Sequence, residues 1–262
     1  MESCDQYQQV PTPKYECLLF DLDDTLYPLS SSIAAHITKN IQEYMRTKLQ
    51  IEESKVPELC LSLYRNYGTT MAGLRAIGYD FDYDDFHGFV HGRLPYDLLK
   101  PDHVLRQLLR GLPMRKLIFT NADKAHASRV LHRLGLEDCF DGIICFETLN
   151  TANRPSASEN VPKTPVVCKP FEEAYKQVFK LAGINPQKTV FFDDSIRNLQ
   201  TGKQMGLHTV LVGNSHRTNG ADHALESIHN MREALPELWE ADEKPEGIDY
   251  AGKVAVEMPV KA

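Results

Sequence analysis

The chain has 262 residues, 42% of them hydrophobic and 25% charged, a balance that fits a globular protein with one large domain or one domain plus an insertion. Its formal net charge of -7 argues against nucleic acid or an anionic membrane as the main partner, because both demand clustered Lys and Arg. The N-terminal MESCDQYQQVPTPKYE lacks a basic and an apolar signal region, no run approaches the roughly 18 apolar residues of a membrane span, and the six cysteines show no C-x-x-C or zinc-ligand spacing, so a cytoplasmic protein with reduced thiols is expected.

In chain order, short and nearly continuous apolar runs predict strands at 16–22, 116–121, 142–147, 189–194 and 208–213. Such runs suit parallel strands covered on both faces. Helical patterns at 124–136, 171–184 and 195–207 lie among the later strands, the last two with glycine near the C-cap. The alternation implies an α/β fold, a doubly wound parallel sheet with right-handed crossovers. Residues 23–115 between the first two strands are too many for a simple crossover. Within them, 30–49 carries Ile33, Ile37, Ile41 and Tyr44 at helical spacing behind a serine cap, and 54–78 reads as a second helix interrupted near Gly68. The expected organisation is a core over 15–28 and 98–240, a small inserted helical cap domain over 29–97, and loosely ordered termini at 1–14 and 241–262. The Pro/Ser/Asn-rich stretch 150–165 reads as a surface loop.

The polar signals fall at predicted strand ends, where open parallel sheets bind ligands. The first strand runs into Asp21, Asp23, Asp24 and Thr25, and the second into Thr120 and Asn121. Lys169-Pro170 precedes a helix, and Asp193-Asp194-Ser195 closes another strand. Taken singly, these read as an acidic turn, two helix caps and a proline at a first helical position. Together they form a set for phosphate and metal: carboxylates on two neighbouring strands can share one hard cation such as Mg²⁺, which makes their crowding tolerable.

The ordered set D-x-D-x-T, Thr-Asn, Lys-Pro and D-D-S resembles the four motifs of the haloacid dehalogenase-like superfamily over about 16–240. LLFDLDDTLYP, NYGTTMAGL, HGRLPY and FFDDSIRN look like its pyrimidine 5′-nucleotidase-like subfamily, especially the plant branch of nucleoside monophosphate phosphatases. The resemblance implies Asp21 as nucleophile, forming an aspartyl phosphate, and Asp23 as acid and base. It implies Mg²⁺ held by Asp21, the Asp23 carbonyl and Asp194, with Asp193 nearby, and Thr120, Asn121 and Lys169 on the transferring oxygens. The family often has glycine where Asp193 stands; Asp194 aligns with the usual ligand, and Asp193 would act through water.

Discrimination among substrates falls to the cap, where Thr69 and Arg93 are the candidate substrate contacts, with Tyr27, His91 and Tyr96 as neighbours and a helix turn and hinge as the plainer reading. His36, His87 and the other histidines show no metal-ligand pattern. Cys168, beside Lys169, is a candidate redox-sensitive thiol against the plainer reading of a buried one. The expected function is a Mg²⁺-dependent phosphatase of nucleoside 5′-monophosphates; a phosphatase of another small phosphomonoester and a catalytically idle paralogue are the alternatives. A dehalogenase is disfavoured by Asp23, because that chemistry has no alkoxide to protonate.

Overall fold

The computed structural model describes residues 14–151, 166–216 and 218–239. The expected loose termini and most of the 150–165 loop lie outside them. Among the described residues no helix is long and apolar enough to cross a membrane.

Six parallel strands form one sheet in the order β3-β2-β1-β4-β5-β6. They are β1 (Cys17–Phe20), β2 (Arg115–Phe119), β3 (Gly142–Ile144), β4 (Thr189–Asp193), β5 (His208–Val212) and β6 (His223–Leu225). β1 pairs with β2 on one side and β4 on the other, Phe20 lying level with Ile118 and Phe192. The chain order therefore reverses at β1, and the carboxyl ends of β1 and β4 open a crevice there.

The period-2 side-chain pattern of strands divides the core between the sheet's faces. Leu18, Phe20, Ile118, Val190, Phe192 and Val210 pack on one face, and Leu19, Leu117, Phe119, Phe191 and Leu211 on the other. Phe20 and Phe192 stack at 4.6 Å across the strands that carry the acids. Each such fully buried side chain contributes about 1.5–3 kcal/mol of transfer free energy, which makes this pair of strands a stiff base for the loops beyond it. Helices α6 (Lys124–Leu134), α8 (Glu172–Ala182) and α9 (Ile196–Gln204) connect the later strands, with a short α7 (Phe146–Leu149) after β3.

Between β1 and β2 lie α1 (Ile33–Thr47), α2 (Val56–Tyr67), α3 (Thr70–Ala76), α4 (Tyr83–Val90) and α5 (His103–Arg110). Tyr44, Met45, Leu63, Met71, Leu74, Phe86 and Val90 of the first four gather into a hydrophobic cluster of their own, joined by Phe146. The serine cap needs correction: Ser32 is the N-cap of α1 at φ 67, but its side chain makes no capping bond. α4, α5 and β6 carry weaker sequence signals because they are short; α4 and α5 start where Asp82 and Asp102 accept hydrogen bonds from Asp85 N and Leu105 N.

The break near Gly68 has a physical cause. Gly68 adopts φ +82, and a Cβ there would meet Lys169 O at 2.4 Å and Pro170 Cδ at 3.0 Å. The α2–α3 turn thus lies directly on the Lys169-Pro170 backbone, an approach that only glycine permits. Gly68→Ala should lower stability by about 1–3 kcal/mol in urea unfolding and displace the Lys169 segment; wild-type stability and turnover in that variant would contradict the contact.

Candidate active site

Asp21 directly follows β1, its N–H donating to Phe192 O at 2.8 Å, so the sheet itself fixes its backbone. Lys169 Nζ is buried and donates to Asp21 Oδ1 at 2.7 Å, Asp193 Oδ2 at 2.7 Å and Phe119 O at 2.8 Å. All three ammonium hydrogens are thereby used. Burial opposes the charge on Lys169, but Asp193 and Asp21 outweigh it and raise the ammonium pKa above its ordinary value. Asp193 also accepts from Ser195 N at 2.8 Å and Asn198 Nδ2 at 3.0 Å.

Thr25 joins the two acidic loops: its hydroxyl donates to Asp21 Oδ2 at 3.2 Å and accepts from Asp194 N at 3.1 Å. Asp194 is exposed at the cluster's edge, and among the described residues its carboxylate has no hydrogen-bond partner. One carboxylate oxygen each from Asp21, Asp193 and Asp194 lies within 4.8 Å of the others. Desolvation, then the neighbouring carboxylates, push Asp194 up; burial pushes Asp21 up against the pull of Lys169. A single ammonium thus leaves the three acids short of positive charge. An all-oxygen set of this kind suits a hard divalent cation.

Asp23 is oriented by two donors on one oxygen: Tyr27 OH reaches Oδ1 at 2.5 Å and His126 Nε2 reaches it at 2.7 Å. His126 Nδ1 meets Tyr96 OH at 2.8 Å, which fixes the ring from behind. Burial pushes the Asp23 carboxyl up, yet His126 and Tyr27 outweigh it and hold it down at about 2. Thr120 and Asn121 follow β2, Thr120 buried and Asn121 at the cavity. Thr120 Oγ1 accepts from Ala122 N at 3.0 Å, while Asn121 bonds both Lys169 N at 2.8 Å and Lys169 O at 3.0 Å, tying the β2 loop to the lysine's own peptide.

A family model described as a haloacid dehalogenase-like hydrolase matches residues 15–206. The chain belongs to the haloacid dehalogenase-like hydrolases. This hydrolase is 30% identical over 210 residues to Phosphate metabolism protein 8 of Saccharomyces cerevisiae, the match taking in 77% of this chain but 62% of the yeast protein. It is 22% identical over 216 residues to Glyceraldehyde 3-phosphate phosphatase of Methanocaldococcus jannaschii, covering 74% and 83% of the two chains. A phosphatase structure from Thermococcus onnurineus superposes with a TM-score of 0.54 at 20% identity, over 83% of this chain and 96% of the other.

The residues expected to read the substrate divide. Thr69 lines a cavity of about 480 Å³ between α1–α4 and the sheet edge, together with Asp23, Asp24 and Asn121. Arg93 does not line it: the guanidinium is exposed, donates to Glu43 at 2.9 Å and lies over the Phe89 ring at 4.4 Å. Tyr27 does not line it either; it is buried with its hydroxyl on Asp23 and borders a different cavity. A second cavity of about 510 Å³ on the other side of Asp24 reaches Asp194 but not Asp23 or Asn121. Arg93→Ala should therefore leave kcat/KM within about twofold of wild type for every substrate, as for a surface ion pair; a substrate-selective loss would return Arg93 to the site.

Cys168 is a buried thiol. Its Sγ lies 3.4 Å from Tyr67 O, and burial pushes the thiol up to about 12 despite the charge of Lys169. Iodoacetamide should leave Cys168 unlabelled in the native protein and label it in urea; native labelling at neutral pH would contradict this.

The histidines are the main residues that sequence reasoning missed. His87, His91 and His126 are all buried, with ring centroids 5.5 Å apart for His87–His91 and 4.4 Å for His91–His126. The available signal was the i, i+4 spacing of His87 and His91, which puts both on one face of a helix.

Proposed function

We propose that this hydrolase is a phosphatase of nucleoside 5′-monophosphates acting through an aspartyl phosphate on Asp21. The observation that carries this reading is the pairing of a lysine-bound Asp21 with an Asp23 held through Oδ1 alone, beneath a cavity of nucleotide scale. The cavity wall includes Ile37, Ile41, Leu61, Met71, Phe86 and Val90, with Thr38, Thr69 and Thr70 among them; Thr69 Oγ1 also caps α3 and Thr70 Oγ1 donates to Cys60 O. Polar residues, among them Asp23, Asp24, Gln42 and Asn121, also line it, and the apolar stretch of wall from α1, α2 and α4 is where a flat base would lie.

The acidic cluster fits Mg²⁺: Asp21 and Asp194 would hold it with the Asp23 carbonyl, while Asp193 stays bound to Lys169, Ser195 and Asn198. When bound, Mg²⁺ offsets the negative charge that would repel a phosphate dianion. Asp21 attacks phosphorus in line, and the bond to the leaving oxygen breaks. Burial opposes charge on His126, but Asp23 outweighs it and raises the imidazole pKa, so the proton that Asp23 passes to that oxygen is the one it shares with His126; Asp23 then removes a proton from the water that opens the acyl phosphate. Lys169 aligns the nucleophile and brings positive charge to the phosphoryl group without a free N–H; Asn121 positions the Lys169 backbone.

The test is a panel of nucleoside 5′-monophosphates, sugar phosphates and p-nitrophenyl phosphate, ranked by kcat/KM with Mg²⁺ and with EDTA. Nucleotides should lead and EDTA should abolish turnover; a sugar phosphate at the top would replace the nucleotide assignment while keeping the chemistry. Within this panel, His126→Ala should lower kcat for nucleotides by about 10²-fold or more, with a smaller effect on p-nitrophenyl phosphate, whose leaving group needs no proton. Equal losses on both would make His126 a packing residue only.

A further inference from the structure

We propose that His87, His91 and Asp123 form a second metal site, separate from the carboxylate cluster, that takes a divalent transition metal such as Zn²⁺ and ties α4 to the loop between β2 and α6. One potential ligand atom from each of the three lies within 4.8 Å of the others, and all three residues are buried. Two imidazoles from one helix turn plus a carboxylate make the nitrogen-rich set that such metals prefer over Mg²⁺.

His87 supplies the independent observation. It is 8% exposed, and among the described residues neither of its ring nitrogens has a hydrogen-bond partner. An orphaned imidazole in the interior loses hydration without compensation, which is unusual unless something else occupies the donor position. Its Nδ1 sits 3.4 Å from Asp123 Oδ2 without a hydrogen bond between them. Two ligand atoms on a tetrahedral Zn²⁺ at about 2.0–2.1 Å stand about 3.3 Å apart, so this separation already matches ligation.

His91 Nδ1 shares a hydrogen bond with the same Asp123 Oδ2, so the metal takes the place of the proton between them and His91 draws back from Asp123 on binding, while Asp123 Oδ1 accepts from His126 N at 3.0 Å and so is fixed by the cap of α6. Burial lowers the pKa of His87 to about 4, which keeps the imidazole neutral and its lone pair free. Burial raises Asp123, but the hydrogen bond and charge of His91 outweigh it and keep the carboxyl ionised. A cavity of about 220 Å³ borders His87, His91 and Asp123 and reaches Glu147, leaving room for water or an exogenous ligand to complete the coordination. His126 is not part of the set, because its nitrogens are taken by Asp23 and Tyr96.

The site predicts a spectroscopic signature. Full-length protein stripped with EDTA and held in excess Mg²⁺, which saturates the carboxylate cluster, is titrated with Co²⁺. The expected result is one equivalent bound with the intense visible d–d bands of a nitrogen-ligated, low-coordinate ion. His87→Gln and His91→Gln, checked for folding by circular dichroism, should each weaken that binding at least about 100-fold, while Asp194→Asn keeps the bands. Wild-type protein giving only the faint absorption of an oxygen-ligated ion would overturn the proposal, whatever the variants do. So would full bands in both histidine variants, or bands lost in Asp194→Asn.

Discussion

Asp21→Asn should lower kcat by roughly 10⁴-fold or more, the scale on which loss of a covalent nucleophile acts, with thermal stability close to wild type. The amide is a poor nucleophile and a weaker partner for a cation. Stability is preserved because two effects oppose each other. Lys169 loses one charged partner but keeps Asp193 and Phe119 O, while the interior loses a carboxylate that burial pushes up toward protonation. Circular dichroism and a urea midpoint check the fold; kcat near wild type would remove Asp21 from the chemistry.

Lys169→Met should be the most damaging change to fold and activity together. The ammonium lies between Asp21 and Asp193 and is 1% exposed, so its removal leaves two buried carboxylates without their cation. Breaking a buried pair from one side costs about 3–5 kcal/mol, and loss of charge at the phosphoryl group adds a fall in kcat on the order of 10² or more. Because the phosphate is common to all substrates, every member of the panel should lose a similar factor. Urea unfolding at low metal should show the stability loss most clearly, since an added divalent cation would partly replace the missing charge. A variant as stable as wild type would mean that the acids are already neutralised by other means.

The sheet was legible because its central strands are buried on both faces: apolar runs such as Cys17–Phe20, and 190–192 within β4, leave little room for another reading. The acids were legible for a related reason, standing where those runs stop. Side-chain direction was not. Asn121 looks like a phosphate contact by its position but spends its amide on the Lys169 peptide, a partner 48 positions away. Cys168 and Lys169 are neighbours in sequence, yet the ammonium turns into the acids and the thiol toward Tyr67 O, and burial pushes the thiol up against the pull of the cation. Arg93 turned outward because Glu43 and the Phe89 ring, both from the inserted helices, offer it a partly solvated site. His126 carried no local sign of its role, which depends on α6 placing it against a residue 103 positions earlier.

The central claim is that Asp21 becomes phosphorylated during turnover. Rapid acid quench of the Mg²⁺-loaded protein with a ³²P-labelled nucleoside 5′-monophosphate, followed by peptide mapping, tests it directly. The expected result is an acid-stable, hydroxylamine-sensitive label on the peptide containing Asp21, absent from Asp21→Asn and longer-lived in Asp23→Asn. Active turnover with no label on that peptide in either wild type or Asp23→Asn, or with the label on another residue, would contradict it.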